Sequence, residues 1–155
     1  MNEYDLKLCK YDQTFLDLSY NWLKDEEIKY LTDAGNQTKD SQLKWYKSIQ
    51  DRTDYLIWGV MYNNNPIGVC GIKNINNGLG EYFGYIGDKT MWGKGLGKLM
   101  MMEVEFYVLQ NSFIHILFLK VLKDNQRAIS LYLKLGYKLI GEDERFLLMN
   151  KIIRK

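Results

Sequence analysis

Apolar positions along the chain follow a strand-like period of two in some stretches and a helix-like period of about 3.6 in others, and the switches between them outline the elements. Residues 3–8 alternate and predict a first strand. Asp12 is placed to cap a helix with Phe15, Leu18 and Trp22 on one face. Helical spacing continues from Trp22 to Leu31 and breaks at DAGNQT, after which Asp40 or Ser41 starts a helix marked by Leu43, Tyr46 and Ile49. Residues 55–62 and 67–73 read as a hairpin around NNNPIG, and NINNGLG turns the chain into a strand over 81–86. These three strands are expected to be antiparallel neighbours. Leu96, Met100, Val104, Tyr107 and Val108 stripe a long amphipathic helix, followed by IHILFLKVL, a strand apolar enough for burial on both faces. Asn125 opens a further helix that ends at Leu135-Gly136-Tyr137 with a glycine C-cap, and strands near 137–142 and 145–151 close the chain. The predicted order is βααβββαβαββ.

No repeat, low-complexity tract or linker interrupts this order, so the 155 residues are expected to form a single domain, 1–155. A hydrophobic content of 46% argues against disorder, and the apolar runs fall short of the ~20 residues that a membrane span needs. The opening MNEYDLKLCKYD carries charges where a signal peptide has its apolar stretch, so a cytoplasmic protein is expected. Cys9 and Cys70 stand far apart in no metal-ligand spacing and read as structural thiols, with no metal expected. A net charge of +2 from dispersed basic residues predicts no nucleic-acid partner.

Candidate chemistry concentrates in MWGKGLGKL, residues 91–99, where three alternating glycines precede a helix. Glycines this dense leave backbone amides unshielded, and a helix start adds free N–H groups and a positive dipole end, so the guest is an anion. The dinucleotide fingerprint G-x-G-x-x-G needs glycine where Lys98 stands, and a Walker loop needs Ser or Thr where Leu99 stands. The plainer alternative is a turn that lets the helix pack close to the preceding strand.

The run from Trp92 to Gly97 resembles the acyl-CoA pyrophosphate loop of the Gcn5-related N-acetyltransferases, Arg/Gln-x-x-Gly-x-Gly/Ala, with Trp92 in place of the usual Arg or Gln. LKDNQRAISLYLKLGYK, residues 122–138, is similar to that family's Asn-x-x-Ala-x-x-Leu-Tyr-x-x-x-Gly-Phe helix, with Tyr137 in place of Phe. The resemblance spans roughly Leu56 to Glu142. It implies an α/β (α+β) fold with a mixed, mostly antiparallel sheet of about seven strands, a splayed central pair and flanking helices. It also implies acetyl-CoA as the acyl donor, with no metal.

On that basis Trp92, Gly93, Lys94, Gly95, Leu96, Gly97 and Lys98 form the pyrophosphate seat. Lys94 and Lys98 are either direct phosphate contacts or solvated surface lysines. Tyr85, Ile86 and Gly87 match the splayed-strand positions whose backbone meets the pantetheine arm, and a free amide there, that of Ile86, can also steady the oxyanion. Asn125 and Tyr132 lie seven residues apart, close to two helical turns, and share a face. The resemblance assigns Asn125 to pantetheine and Tyr132 to protonating the departing thiolate. Glu81 is the candidate general base, with water as the alternative, because the commonest family glutamate aligns with Tyr82 and a shift of one residue turns a strand side chain to the other face. His115 reads as structural.

The segment from Lys10 to Asp54 is expected to build the acceptor site, with Trp22, Tyr30, Trp45 and Tyr46 as candidate contacts and core packing as the alternative for each. Its stretches SYNWLKDEEIKYLTD and QLKWYKSI resemble relatives that acetylate nucleotide-linked 4-amino sugars. The first expectation is therefore an acetyl-CoA-dependent N-acetyltransferase acting on a small-molecule amine, a nucleotide-linked amino sugar, as a monomer or homodimer. Acetylation of a protein amino terminus, and a non-catalytic acyl-CoA-binding module, are the alternatives.

Overall fold

The computed structural model describes residues 5–111 and 113–154. Strand β1 (Leu6–Lys10) leads into helices α1 (Gln13–Trp22), α2 (Glu26–Thr32) and α3 (Lys39–Ile49). Strands β2 (Leu56–Tyr62), β3 (Asn65–Asn76) and β4 (Leu79–Ile86) follow, then a 3-10 turn (Lys89–Met91) and α4 (Leu96–Gln110). The chain ends with β5 (Ile116–Leu122), α5 (Gln126–Lys134), β6 (Lys138–Glu142) and β7 (Phe146–Ile152). All seven strands share one sheet in the order β1-β2-β3-β4-β5-β7-β6, antiparallel except for β4 beside β5.

Three helices, rather than the expected two, separate β1 from β2. Leu23 ends α1, and the Asp25 carboxylate accepts from the Glu27 and Ile28 amides, so the chain restarts as α2 instead of continuing. α3 begins at Lys39 because Thr38 and Ser41 form a reciprocal capping box that the expected start at Asp40 or Ser41 would break. Of the predicted first strand, Glu3 and Tyr4 lie outside the described residues, and β1 runs on to Lys10. β5 is not buried on both faces: Leu117, Leu119 and Val121 are buried, but Lys120 is exposed because that side borders an opening in the sheet.

The sheet separates two cores. On one face α4 places Leu96, Met100, Met101, Val104 and Val108 against Val60, Ile72, Tyr82, Leu117 and Leu119. On the other, α1 and α3 pack Phe15, Leu16 and Trp45 against Val69, Phe83 and Tyr85. At Gly59 the Phe15 ring lies so close that a Cβ would fall 2.3 Å from it, which brings α1 flush to the sheet. No helix among the described residues is long and apolar enough to cross a membrane.

The feature that positions the site is a parallel pairing that stops early. β4 and β5 are paired only from Leu79–Glu81 to Ile116–Phe118, while β4 stays paired with β3 as far as Ile86 and β5 with β7 as far as Leu122. Beyond Glu81 the two central strands part.

Candidate active site

Gly93 and Gly95 take positive φ values of 78° and 77°, which side-chain-bearing residues adopt only under strain, and α4 starts directly after them with no side-chain cap. The amides from Gly93 to Lys98 donate to no protein acceptor among the described residues, whereas Met91 and Trp92 before them and Leu99 after them do. A Cβ built on Gly95 would meet nothing within 4 Å, so the space above the loop is open. Unpaired amides, a helix of 15 residues pointing its positive end at them, and clear space together make a seat for a diphosphate. Trp92 donates from Nε1 to the Ile86 carbonyl at 2.9 Å and ties the loop to the end of β4.

That tie engages the Ile86 carbonyl but leaves its amide free. Gly87 donates to Ile67 at 2.7 Å, so by the alternation of an antiparallel ladder Phe83 and Tyr85 also face β3. Tyr82, Gly84 and Ile86 then turn their backbone groups into the opening beside β5, where an amide-bearing arm can pair with them. Gly87 is instead engaged with β3 and covered by Trp22, whose ring sits where a Gly87 Cβ would be.

Two clefts meet at this opening. One, of about 440 Å³, runs from the glycine loop past Met91, Trp92 and Leu96. The other, of about 610 Å³, lies on the α1–α3 face and is lined by Tyr11, Gln42, Trp45, Tyr55 and Phe83. Leu31, Thr32, Tyr82, Gly84, Tyr85, Asn125, Ala128 and Tyr132 border both. Asn125 caps α5 by accepting the Ala128 amide at 3.3 Å, which leaves its side-chain N–H groups for a ligand. The Tyr132 hydroxyl has no partner among the described residues, and burial pushes it up to about 12, so it holds its proton at neutral pH. Its ring stands edge-on to Tyr137 at 5.9 Å, and Tyr137 is held by a 2.9 Å bond to Glu105, itself bonded to Lys151.

The other expected contacts separate. Trp45 lines the second cleft. Trp22 packs on Gly87, Tyr46 packs beside Tyr11, and exposed Tyr30 donates to Asp124, so none of these three borders that cleft. Glu81 does border it, with its carboxylate bonded to Asn74 at 3.0 Å and 3.9 Å from Lys73. No bulge interrupts the pairing of Lys73 with Glu81 and Ile72 with Tyr82, so Glu81 faces the α1–α3 side and Tyr82 the opposite one. His115 lies at the closed end of the β4–β5 pair, where its backbone bonds to Gly78 and Ile153. Lys94 and Lys98 are exposed beside the loop. Cys9 and Cys70 are free thiols in β1 and β3. The sequence reading missed Tyr55 and Gln42. The signal for Gln42 was a polar residue on the apolar face of α3, and it is 6% exposed with an Oε1 that finds no partner among the described residues.

Residues 17–137 match the model of the Acetyltransferase (GNAT) family. The chain belongs to this family. It is 24% identical over 131 residues to Acetyltransferase PseH of Campylobacter jejuni, covering 84% of this chain and 82% of that one. The structure of PseH in complex with acetyl coenzyme A superposes with a TM-score of 0.74 at 20% identity over 95% of this chain and 98% of that one. Spermidine N-acetyltransferase from Vibrio cholerae, in complex with CoA and spermine, superposes with a TM-score of 0.88 at 18% identity over 96% and 95%. The GNAT fold expected from the sequence is the fold observed, and the protein is an acetyl-CoA-dependent N-acetyltransferase. The unpaired amides of 93–98 and the open space over Gly95 fit the carrier's diphosphate.

Proposed function

We propose that the acceptor is the primary amine of a nucleotide-linked amino sugar, of the 4-amino-4,6-dideoxy type. The observation that carries this is the chemistry of the second cleft. Trp45, Tyr55, Phe83 and Phe146 give its wall an aromatic lining against which a pyranose or a base can pack, and Gln42 offers an amide oxygen without a partner among the described residues to a hydroxyl or N–H. The carboxylates on its wall are already engaged, Asp33 by Arg145 at 3.0 Å and Glu81 by Lys73 and Asn74. A polyamine would find little uncommitted negative charge here. Lys73 and Lys120 on the same wall suit an anionic carrier.

Bound acetyl-CoA supplies a thioester, an electrophilic carbonyl carbon joined to a sulfur leaving group. The residues from Gly93 to Lys98 seat its diphosphate, and the backbone of Gly84 and Ile86 with the Asn125 side chain guides its arm to the junction of the clefts. Tyr132 hands its proton to the departing sulfur as the C–S bond breaks and the C–N bond forms. Glu81, or water in its place, takes the proton that the amine loses.

Thiol release from acetyl-CoA, measured over a panel of amines, tests the assignment. The expected outcome is the highest kcat/KM on an amino-sugar nucleotide. Turnover of spermidine or of a peptide amino terminus, with none of any amino-sugar nucleotide, overturns it, and no release above background with any amine indicates a binding module.

A further inference from the structure

We propose that Tyr82 is a further catalytic residue, its hydroxyl donating a hydrogen bond to the acyl carbonyl oxygen as negative charge builds there. The inference rests on the donor and the amine meeting where the two clefts join, and it does not depend on which amine is used. Groups that border both clefts are the ones within reach of the reacting carbon. Among their side chains, the Thr32 hydroxyl already donates to the Ile28 carbonyl at 2.8 Å. Asn125 is engaged at its oxygen by the Ala128 amide. Tyr85 turns to the opposite face, with Ser19 beside its hydroxyl. Two hydroxyls remain without a partner among the described residues, Tyr132 and Tyr82. The transfer has two centres of developing negative charge, the sulfur and the carbonyl oxygen, and Tyr132 serves the first.

Tyr82 is 4% exposed, packed in the α4-side core beside Cys70 and Met100. A phenylalanine would fill that core equally well, and the hydroxyl, without a partner among the described residues, is not fully enclosed but reaches the clefts that Tyr82 lines. Room has been made for it. A Cβ on Gly84 would stand 2.6 Å from the Tyr82 hydroxyl, so the glycine two residues along the strand keeps that oxygen at the mouth of the opening. Burial raises the Tyr82 phenol well above its ordinary value, which excludes it as a base and keeps it a donor. The position that family resemblance aligns with a glutamate base thus carries a group of opposite capability, and Tyr82 keeps its proton throughout the transfer.

The test is Tyr82→Phe in the full chain, with two readouts. Thiol release is followed with whichever amine of the panel the unaltered enzyme acetylates fastest. The expected result is a kcat lower by about 100- to 1,000-fold with the acetyl-CoA KM within about threefold, the pattern of a contact already present in the bound donor that strengthens as charge builds on the oxygen. The second readout needs no acceptor: the infrared carbonyl stretch of bound acetyl-CoA labelled with carbon-13 at the carbonyl moves to higher frequency in the variant as the hydrogen bond is lost. An unchanged kcat overturns the inference, as does a raised KM at unchanged kcat, and so does a carbonyl stretch that is the same in both proteins. Failure of the amino-sugar assignment appears separately, as an unaltered enzyme that prefers another amine.

Discussion

Tyr132 is set by three things that act on one side chain: a place two turns along α5 from Asn125, an edge-on contact with Tyr137, and burial that keeps its proton on. The expected consequence of Tyr132→Phe is a kcat lower by about 100-fold or more with little change in acetyl-CoA affinity, since general acids contribute roughly 10²–10⁴. Calorimetry against acetyl-CoA and steady-state kinetics check the two halves. The same burial fixes the pH behaviour. A phenol with an ordinary value near 10 that is pushed up to about 12 keeps its proton through the whole physiological range, so no loss of rate from Tyr132 is expected below about pH 10. The shared face of Asn125 and Tyr132 was legible from spacing and their roles only from the family resemblance, whereas the glycine run stood out by itself. The roles of Gln42 and Tyr82 were not legible, because whether a polar atom finds a partner is decided by neighbours that come from other elements.

At the scale of elements, the glycine loop and α4 work as one device. Gly95→Ala places a Cβ where φ is 77°, a conformation that costs an L-residue about 1–2 kcal/mol, although the side chain itself would meet open space. The loop is therefore expected to relax away from its anion-binding shape, weakening CoA by about tenfold or more while the melting temperature falls by only a few degrees. Calorimetry with CoA and a thermal melt separate the two effects. The second device is α2, whose Leu31 and Thr32 border both clefts. It is tied down by Lys89 to Asp25 and Glu27, by Tyr30 to Asp124 and by Arg145 to Asp33. Tyr30, expected to touch the acceptor, instead helps hold this helix across the opening. Its partner stands 94 residues away, so no local pattern could have revealed the pairing.

For the molecule as a whole, the buried tyrosines set the alkaline limit of stability. Burial pushes Tyr11, Tyr55 and Tyr132 each up to about 12 in the folded protein, against about 10 in the unfolded chain. Between those values the folded state binds more protons than the unfolded one, so the stability present below pH 10 is lost progressively as pH rises from 10 to 12. Denaturant midpoints at pH 8, 9 and 11 are expected to be similar for the first pair and clearly lower at the last. Most elements, the anion seat and the paired face of α5 were determined by the sequence alone, because hydrophobic period, capping chemistry and the freedom of glycine act between residues a few positions apart. The early end of the β4–β5 pairing was decided only by tertiary structure, as were the opposite faces taken by Glu81 and Tyr82 in an unbulged ladder and the choice of Trp45 over Trp22, Tyr30 and Tyr46 as cleft lining. Each depends on strand register and helix docking, which are settled by contacts between distant segments competing for the same core.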